Sequence, residues 1–223
     1  MSLSQMQASS LSQAIETYAF PSDYFNFSEN VPEPQTNVSD VETKIQHDLC
    51  SGDWQKVRDG LSNILYWGYA QMGKRDWKVQ NFRTKVERHE LCDAANLFRG
   101  SRDPSVLEIK KLGLPEFSGL SFVSKVRMFL DPANSATLDF QILKIRQHCS
   151  GTVLAGLRVS EKETQIRITV QNAQAYERWC EKMRAISNIY FCGRFHAADV
   201  ERGFFRLVQC GLTKLAAEIL WSA

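Results

Sequence analysis

The residues best suited to chemistry lie in the stretch 105–146. Two segments with helical spacing, 105–111 and 120–130, flank a connection bounded by Gly113 and Gly119. Backbone N–H groups that point outward from such a connection, and from the first turn of the next helix, favour a phosphate group. Basic side chains surround this connection: Lys110, Lys111, Lys125, Arg127, Lys144 and Arg146. The stretch is therefore a candidate for binding the backbone of a nucleic acid, although the same residues also fit an ordinary solvated helix face.

The order of motifs in this stretch is informative. It runs from Gly119-Leu-Ser-Phe-Val-Ser-Lys125 through a hydrophobic helix to Asp131-Pro132 and then to Leu138-Asp139. This order resembles that of the helix-hairpin-helix DNA glycosylases, and in particular of their 8-oxoguanine glycosylase-like branch. The resemblance extends from about residue 54 to residue 210, and the segments 65–69 and 198–204 share it. It implies a bilobal, mainly α, helix-hairpin-helix glycosylase-like fold with at most a small β element.

The resemblance also implies a catalytic pair. In the family, a lysine on the second helix of the hairpin attacks the sugar carbon C1′ of the damaged nucleotide. A later aspartate at a helix start activates that lysine or stabilises the developing positive charge. By position these roles fall to Lys125 and Asp139. An amine must be uncharged to attack carbon, and apolar burial lowers the pKa of a lysine. Apolar residues flank the lysine in the sequence: Phe122, Val123, Val126 and Met128.

The hairpin departs from the family pattern. It reads Leu114-Pro-Glu-Phe-Ser-Gly119, whereas the family has Leu-Pro-Gly-Val-Gly, and Lys125 lies six residues beyond Gly119. Without the resemblance, a lysine on an amphipathic helix is most often solvated, and an aspartate ahead of a helix is often its N-cap. Asp139 can serve as cap and catalyst at once.

A glycosylase must reach a base inside a duplex, so it extrudes the nucleotide and holds the base between aromatic faces. The candidates for those faces are Tyr66, Trp67, Tyr69, Trp77 and Phe82. The expected contacts to double-stranded DNA are Lys110, Lys111, Gly113, Gly119, Ser121 and Arg127. Aromatic residues at helical spacing are also typical of core packing, which is the alternative for positions 66–69.

Apolar spacing places these residues on helices. The predicted helices span about 39–50, 54–70, 76–98, 105–111, 120–130, 138–150, 172–189 and 197–219. Ser39 and Glu42 have the spacing of a capping box at the start of the first helix. Alternating residues over 164–170 are typical of a strand, although a helical protein can carry such a stretch as a loop or a small hairpin. The stretch 152–159 is compatible with a strand or a helix.

Residues 1–40 differ from the rest of the chain. They are rich in Ser and Gln, and Pro32 and Pro34 exclude a helix around them. Five aromatic residues lie in this segment: Tyr18, Phe20, Tyr24, Phe25 and Phe27. We expect a partly flexible N-terminal arm whose rings dock on a helical glycosylase-like domain at 41–223, with its hairpin at 105–130. A disordered segment that binds a partner is the alternative.

Composition excludes several other classes. The 223 residues, 43% of them hydrophobic, suffice for one core or for a core divided between two lobes. The formal net charge is only +2. The six cysteines contain no Cys-x-x-Cys pair and the four histidines lack metal-ligand spacing, so we expect reduced thiols, mostly in the core, and neither metal nor cofactor. Because no apolar run has membrane length and no signal peptide is present, we expect no membrane contact and a cytoplasmic location, nucleoid-associated in a bacterium.

Three functions fit these observations. The first is a DNA glycosylase that excises a damaged or modified base, with or without lyase activity through Lys125. The second is a non-catalytic DNA-binding module on the same scaffold, and the third is an unrelated helical interaction protein. A cleft that holds both Lys125 and Asp139 would favour the first.

Overall fold

The fold was described from a computed structural model, which places residues 2–101, 103–159 and 165–223. The α-helices are α1 (Gln5–Glu16), α2 (Val38–Leu49), α3 (Trp54–Gly68), α4 (Arg75–Lys85), α5 (Arg88–Gly100), α6 (Val106–Lys111), α7 (Leu120–Leu130), α8 (Val170–Phe191), α9 (Ala197–Gln209) and α10 (Thr213–Ser222). Strands β1 (Asp23–Asn26) and β2 (Val31–Pro34) pair antiparallel, and Ile142–Gln147 and Val153–Gly156 are 3-10 helices. The predicted mainly α fold with a small β element is confirmed.

The chain divides into two compact units. One unit, the hairpin unit, runs from Phe20 to Asp131, and the other, the split unit, combines the residues up to Ala19 with those from Pro132 onward. Among the described residues, no helix combines the length and the apolar character that crossing a bilayer requires.

Helix α3 forms the centre of the hairpin unit. It packs against α2, α4, α5 and α7, and its side chains Leu61, Ile64 and Leu65 are fully buried. Each such side chain contributes about 1.5–3 kcal/mol through the hydrophobic effect. The Asp53 carboxylate caps the helix by accepting a hydrogen bond from the N–H of Gln55 at 2.8 Å. Because this packing and this cap fix α3, its last residues, 66–68, are held against α7.

The β-hairpin docks on α2 and α3 through aromatic and polar contacts. The Asn63 side chain accepts a hydrogen bond from the N–H of Phe25 at 2.7 Å and donates one to the carbonyl of Phe25 at 3.1 Å. The Tyr24 hydroxyl donates to the Asp48 carboxylate at 2.6 Å, and burial, followed by this bond, raises the pKa of Tyr24. The prolines at 32 and 34 lie in β2, so their expected exclusion of a helix is confirmed.

The split unit contains a helix that the sequence did not lead us to predict. Helix α1 begins with a capping box in which the Ser4 hydroxyl accepts from the N–H of Gln7 and the Gln7 side chain accepts from the N–H of Ser4. It packs on α9 with Leu11 fully buried, and Gly203 of α9 leaves the room that Leu11 and Ile15 occupy. The Ser-x-x-Gln spacing at positions 4–7 was the signal for this helix.

Several predicted helix boundaries were wrong for local reasons. Helix α2 begins at Val38 because Asn37, not Ser39, accepts the capping hydrogen bond from the N–H of Asp40. The single helix predicted over 76–98 is two helices, since Val86 adopts an extended conformation. The helix predicted over 197–219 is also two helices, because Gly211 has a φ of +76°.

The segment after α7 is less regular than expected. The helix predicted over 138–150 is a 3-10 helix at Ile142–Gln147. The strand predicted over 164–170 is wrong for 165–169, which form no strand, and α8 already begins at Val170, while residue 164 lies outside the described residues. The ambiguous stretch 152–159 contains the 3-10 helix Val153–Gly156. All six cysteines are free, but only Cys180 is buried, so the expectation that most of them lie in the core was wrong.

Candidate functional site

Helices α6 and α7 lie where the sequence predicted two helices joined by a short connection. Ser105 starts α6 with a capping box, in which its hydroxyl accepts from the N–H of Glu108 at 3.2 Å and the Glu108 carboxylate accepts from the N–H of Ser105 at 2.8 Å. Gly113 ends this helix with a φ of +72°, a conformation that side chains disfavour. The helix-connection-helix predicted over 105–130 is therefore confirmed, and residues 113–119 are called the hairpin loop below.

Glu116 adopts a backbone conformation in the hairpin loop that usually favours glycine. Its φ is +68°, in the left-handed region where a non-glycine residue is strained by about 1–2 kcal/mol. Its carboxylate accepts a hydrogen bond from the Lys78 ammonium at 2.5 Å and another from the Asn81 side chain. These bonds tie the hairpin loop to α4 and offset the strain of the backbone.

The residues expected to contact phosphate lie at the end of α6, in the hairpin loop and at the start of α7. Lys110, Lys111 and Gly113 are exposed, Ser121 is half-buried and Gly119 is buried. Gly119 is the N-cap of α7 and has no side chain to bind the first N–H groups of the helix. The exposed lysines suit an anionic ligand, whereas the helix start at Gly119 and Leu120 is covered by protein.

Arg127 has a different role from the one expected. Its side chain is 4% exposed, and its guanidinium donates through Nε to the Asp103 carboxylate at 2.7 Å and also through Nη2. This ion pair fastens the connection between α5 and α6 to α7. Because the guanidinium is buried and bound, we leave Arg127 out of the proposed contacts to DNA.

Lys125 is buried on the second helix of the hairpin. Only 5% of the Lys125 surface is exposed. Its Nζ donates to the Ser121 carbonyl at 3.3 Å and lies 5.1 Å from the centre of the Phe122 ring. Fully buried lysines are rare because their charge loses its hydration. The alternative of a solvated lysine is therefore wrong, whereas the catalytic role of Lys125 stays a prediction.

Gly68, which the sequence analysis did not treat as a site residue, makes room for this lysine. A Cβ atom at position 68 would lie 2.8 Å from Cε1 of Phe122 and 3.3 Å from Cδ of Lys125. The first distance is shorter than normal van der Waals contact, so a larger residue would displace the Phe122 ring. The one signal in the sequence was a glycine at the end of an otherwise apolar helix, because such a glycine can allow another element to approach the backbone closely.

Four of the five rings expected to hold a base are packed against other rings, whereas Trp77 is 60% exposed. Phe82 is fully buried and meets Phe117 with ring centres 5.6 Å apart. Tyr66 lies 5.2 Å from Phe25, Trp67 lies 4.7 Å from Phe20, and Tyr69 stacks on Phe122 at 4.6 Å. These contacts match the core-packing alternative, and a base-holding role for the rings stays a prediction.

Two of these rings, those of Tyr69 and Trp67, also carry a hydrogen-bond donor. Burial, and then the charge of Glu116, raise the pKa of Tyr69 to about 12, so its phenol stays protonated and can donate a hydrogen bond. Nε1 of Trp67 is buried and has no hydrogen-bond partner among the described residues. A buried donor without a partner is uncommon in folded proteins.

Asp139 lies in the turn before the 3-10 helix Ile142–Gln147, whose N-cap is Gln141, so the prediction that Asp139 is the N-cap of the third helix is wrong. Its carboxylate accepts from the N–H of Gln141 at 2.9 Å and its carbonyl from the N–H of Ile142 at 3.1 Å. The residue is half-buried. Asp139 therefore closes this turn, and its catalytic role stays a prediction.

Helices α8 and α9 hold the backbone that leads to Asp139. The Tyr176 hydroxyl and the Trp179 Nε1 each donate at 2.9 Å, to the carbonyls of Ala136 and Thr137 respectively. The Arg184 guanidinium donates to the carbonyl of Asn134 at 2.7 Å. The first amides of α9 donate to the carbonyls of Pro132 and Ala133. We call residues 132–138 the carbonyl loop, because its oxygens anchor it to α8 and α9.

Lys125 belongs to the hairpin unit and Asp139 to the split unit, so their expected pairing stays a prediction. The chain matches no family model, no curated protein and no solved structure. The functional assignment therefore depends on the residues of the two units and on the resemblance of the hairpin.

Proposed function

We propose that this protein is a DNA glycosylase of the helix-hairpin-helix type, with Lys125 as nucleophile and Asp139 as its electrostatic support. The observation that carries the proposal is the buried amine of Lys125 on the helix that follows the hairpin loop. Attack on a sugar carbon needs a lysine nitrogen with a free electron pair, held away from bulk water. If this position served only packing, an apolar residue could fill it with a smaller desolvation free energy than a lysine.

In the proposed reaction, the Lys125 nitrogen forms a bond to C1′ of the damaged nucleotide as the bond from C1′ to the base breaks. The electron pair of that bond leaves with the base, which takes up one proton from the lysine nitrogen. The C1′–O4′ bond then breaks as the nitrogen forms a double bond to C1′, and O4′ takes up the second proton, which leaves an open-chain sugar joined to Lys125 as an imine. The Asp139 carboxylate stabilises the positive charge that develops on the sugar. No cofactor is required for these steps.

Double-stranded DNA is the proposed partner. Lys110 and Lys111 are exposed at the end of α6, beside the hairpin loop. Lysines contribute to DNA binding through release of the counterions that surround the phosphates. The hairpin would thus bind the backbone and leave the reaction to Lys125.

A non-catalytic DNA-binding module on the same scaffold is the second candidate. The dense ring packing of Tyr66, Trp67, Tyr69 and Phe82 favours it, because a packed core offers a base no room. The two candidates share DNA binding and differ in base release.

Base release by an Asp139→Asn variant tests the catalytic proposal. Asparagine can accept the same hydrogen bond from the N–H of Gln141, so the fold is retained while the charge is lost, and release should fall by about 10²–10³. The substrates are duplexes that each carry one modified base, beginning with 8-oxoguanine. Asp93→Asn, an exposed aspartate of α5, is the matched control and should release base at the wild-type rate. An unchanged rate for Asp139→Asn on a substrate that the wild type processes contradicts the proposal.

Binding of a paired duplex at several salt concentrations tests the role of the hairpin. Loss of two phosphate contacts in the Lys110→Ala, Lys111→Ala double variant should lower the slope of log affinity against log salt by about 1.8. Lys214→Ala, an exposed lysine of α10, is the control. A double variant with the wild-type slope would remove these lysines from the interface.

A further inference from the structure

A small cavity lies within the split unit, between the last turns of α8, the connection to α9 and the carbonyl loop. Its volume is about 240 Å³, and its lining includes polar residues but, among the described residues, no acidic one. The polar residues are Asn134, Arg184, Ser187, Asn188 and His196. Pockets that enclose drug-sized molecules usually measure about 300–1,000 Å³. This cavity therefore fits a small ion or a single group of a larger molecule.

The turn between α8 and α9 shapes one side of the cavity. Cys192, the C-cap of α8, has a φ of +52°, and Gly193 follows with a φ of +74°. Two successive left-handed residues reverse the chain sharply, and the Ser187 hydroxyl donates a hydrogen bond to the carbonyl of Phe195 beyond the turn. This turn and this bond hold the end of α8 beside the start of α9.

Arg184 supplies the cavity with a positive charge. Its guanidinium donates to the carbonyl of Asn134 at 2.7 Å, and a carbonyl is a neutral acceptor. Within the described parts of the chain, this guanidinium forms no ion pair with a carboxylate. Because a guanidinium has several N–H donors, most of them remain available to a ligand after this one bond. A charged group of this kind in a cavity favours an anion.

Two further hydrogen-bond donors line the cavity near Arg184. Asn188 follows four residues later on α8, so its side chain lies on the same face of the helix. His196 is the N-cap of α9 and is exposed. Asp199, three residues further on, already accepts from the Arg202 guanidinium at 3.1 Å. The partial charges at the end of α8 and at the start of α9 have opposite signs, so Arg184 determines the charge of the cavity.

We propose that this cavity binds a phosphate group, held by Arg184, Asn188 and His196. A phosphate group offers more acceptor oxygens than a carboxylate, which suits donors that approach from two helices, and a guanidinium can bind it through two N–H groups at once. Because Arg184 also binds Asn134, one side chain would join the phosphate to the carbonyl loop. The inference does not depend on base release, since the cavity includes neither Lys125 nor Asp139.

Titration with inorganic phosphate, followed by NMR at constant ionic strength, tests this inference. The backbone amides of Asn188 and Gly193 should show saturable shifts that chloride does not produce. Arg184→Gln removes the charge and should lower the affinity about 10-fold or more. Asn188→Ala keeps the bond from Arg184 to the carbonyl loop and should lower the affinity about 2- to 10-fold. Arg178→Gln is the matched control, because Arg178 is an exposed arginine of α8 that does not line the cavity.

Dimethyl phosphate and acetate, titrated in the same way, separate the possible ligands. Dimethyl phosphate that binds as tightly as inorganic phosphate supports the inference and identifies the DNA backbone as the source of the group. Binding of inorganic phosphate alone also supports it and identifies a free or terminal phosphate.

The Asn188→Ala protein keeps the test independent of the stability of Arg184→Gln. Asn188 is exposed, so circular dichroism should show that its variant remains folded. Equal phosphate affinity of wild type and both variants overturns the inference. Tighter binding of acetate than of phosphate, or the absence of saturable shifts at the two amides, also overturns it, whatever the outcome of the base-release experiment.

Discussion

Lys125 and Glu116 are two ionisable residues in positions that cost free energy. Lys125 is buried on α7, and Glu116 adopts a left-handed backbone conformation in the hairpin loop. Neighbouring groups compensate each of them, Ser121 and Phe122 for the lysine and Lys78 for the glutamate. When a residue lowers the stability of the fold and neighbouring groups nevertheless hold it in place, a role beyond packing is expected.

Paired substitutions of Glu116 separate backbone strain from the ion pair. Glu116→Ala removes the bonds to Lys78 and Asn81 and keeps the strained φ, so it should lower the free energy of unfolding by about 2–3 kcal/mol. Glu116→Gly removes the same bonds but relieves the strain, so it should cost about 1 kcal/mol less than Ala. Urea denaturation measures both values.

Glu116→Gln serves as the control for charge, because it keeps the backbone and nearly the same shape. It should fall between wild type and Glu116→Ala. Equal stability of the Ala and Gly variants would show that the left-handed conformation carries no strain.

Elements around the carbonyl loop are arranged to fix Asp139. Side chains of α8 and amides of α9 bind five of the seven carbonyl oxygens between Pro132 and Leu138. The Ser135 and Thr137 hydroxyls in the loop are buried and have no hydrogen-bond partner among the described residues. The anchoring is therefore carried by the backbone of the loop rather than by these two side chains.

Tyr176→Phe tests whether this anchoring matters for the proposed reaction. The variant leaves the buried carbonyl of Ala136 without its donor, at a cost of about 1–2 kcal/mol. If Asp139 acts from a fixed position, kcat for base release should fall while KM stays near the wild-type value. Thermal unfolding and steady-state kinetics measure the two effects.

Tyr190→Phe is the matched control, since the Tyr190 hydroxyl accepts a hydrogen bond from the N–H of Leu3 and donates none to another described residue. It should change neither quantity. A Tyr176→Phe protein with lowered stability and unchanged kcat would make this tyrosine a purely structural residue.

Helices with regular apolar spacing were predictable from the sequence, whereas the residues at which a helix breaks were not. Helices α3, α7 and α8 were expected from their apolar spacing and lie close to those positions. The break at Val86 carries no glycine or proline, so nothing local marks it in the sequence. The burial of Lys125 depends on Gly68, which is distant in sequence, and a local pattern cannot report such a contact.

Glu116 illustrates the same limit at the candidate site. Its position in the hairpin was visible as a departure from the family pattern, but its partners Lys78 and Asn81 lie on another helix. The capping boxes, by contrast, involve residues three apart and are readable from sequence, as at Ser105 and Ser4. Tertiary contacts account for most of what the sequence left open.

At the scale of the molecule, each unit has its own core and the chain passes between the units twice. The hairpin unit is continuous from Phe20 to Asp131, whereas the split unit joins the N-terminal helix to the last three. Helix α1 contacts α9, where Gly203 accommodates Leu11 and Ile15. The N-terminal segment is thus part of a core.

Gly203→Ala tests this closure of the split unit. Helix propensity alone would favour alanine by about 1 kcal/mol. A Cβ at Gly203 would lie 2.6 Å from Cγ1 of Ile15 and 2.9 Å from Cδ1 of Leu11, so overpacking should lower stability by about 1–3 kcal/mol. Gly100→Ala at the end of α5 is the control, because nothing lies within 4 Å of its Cβ position. Stabilisation by both substitutions would show that α1 is not held against α9.

Borohydride trapping tests the central claim most directly. The protein is incubated with a duplex that carries a modified base it releases, borohydride reduces any imine, and peptide mapping locates the attached sugar. We predict a covalent adduct on Lys125, absent from Lys125→Gln and formed more slowly by Asp139→Asn. An adduct on another residue, or base release by Lys125→Gln at the wild-type rate, would contradict the account.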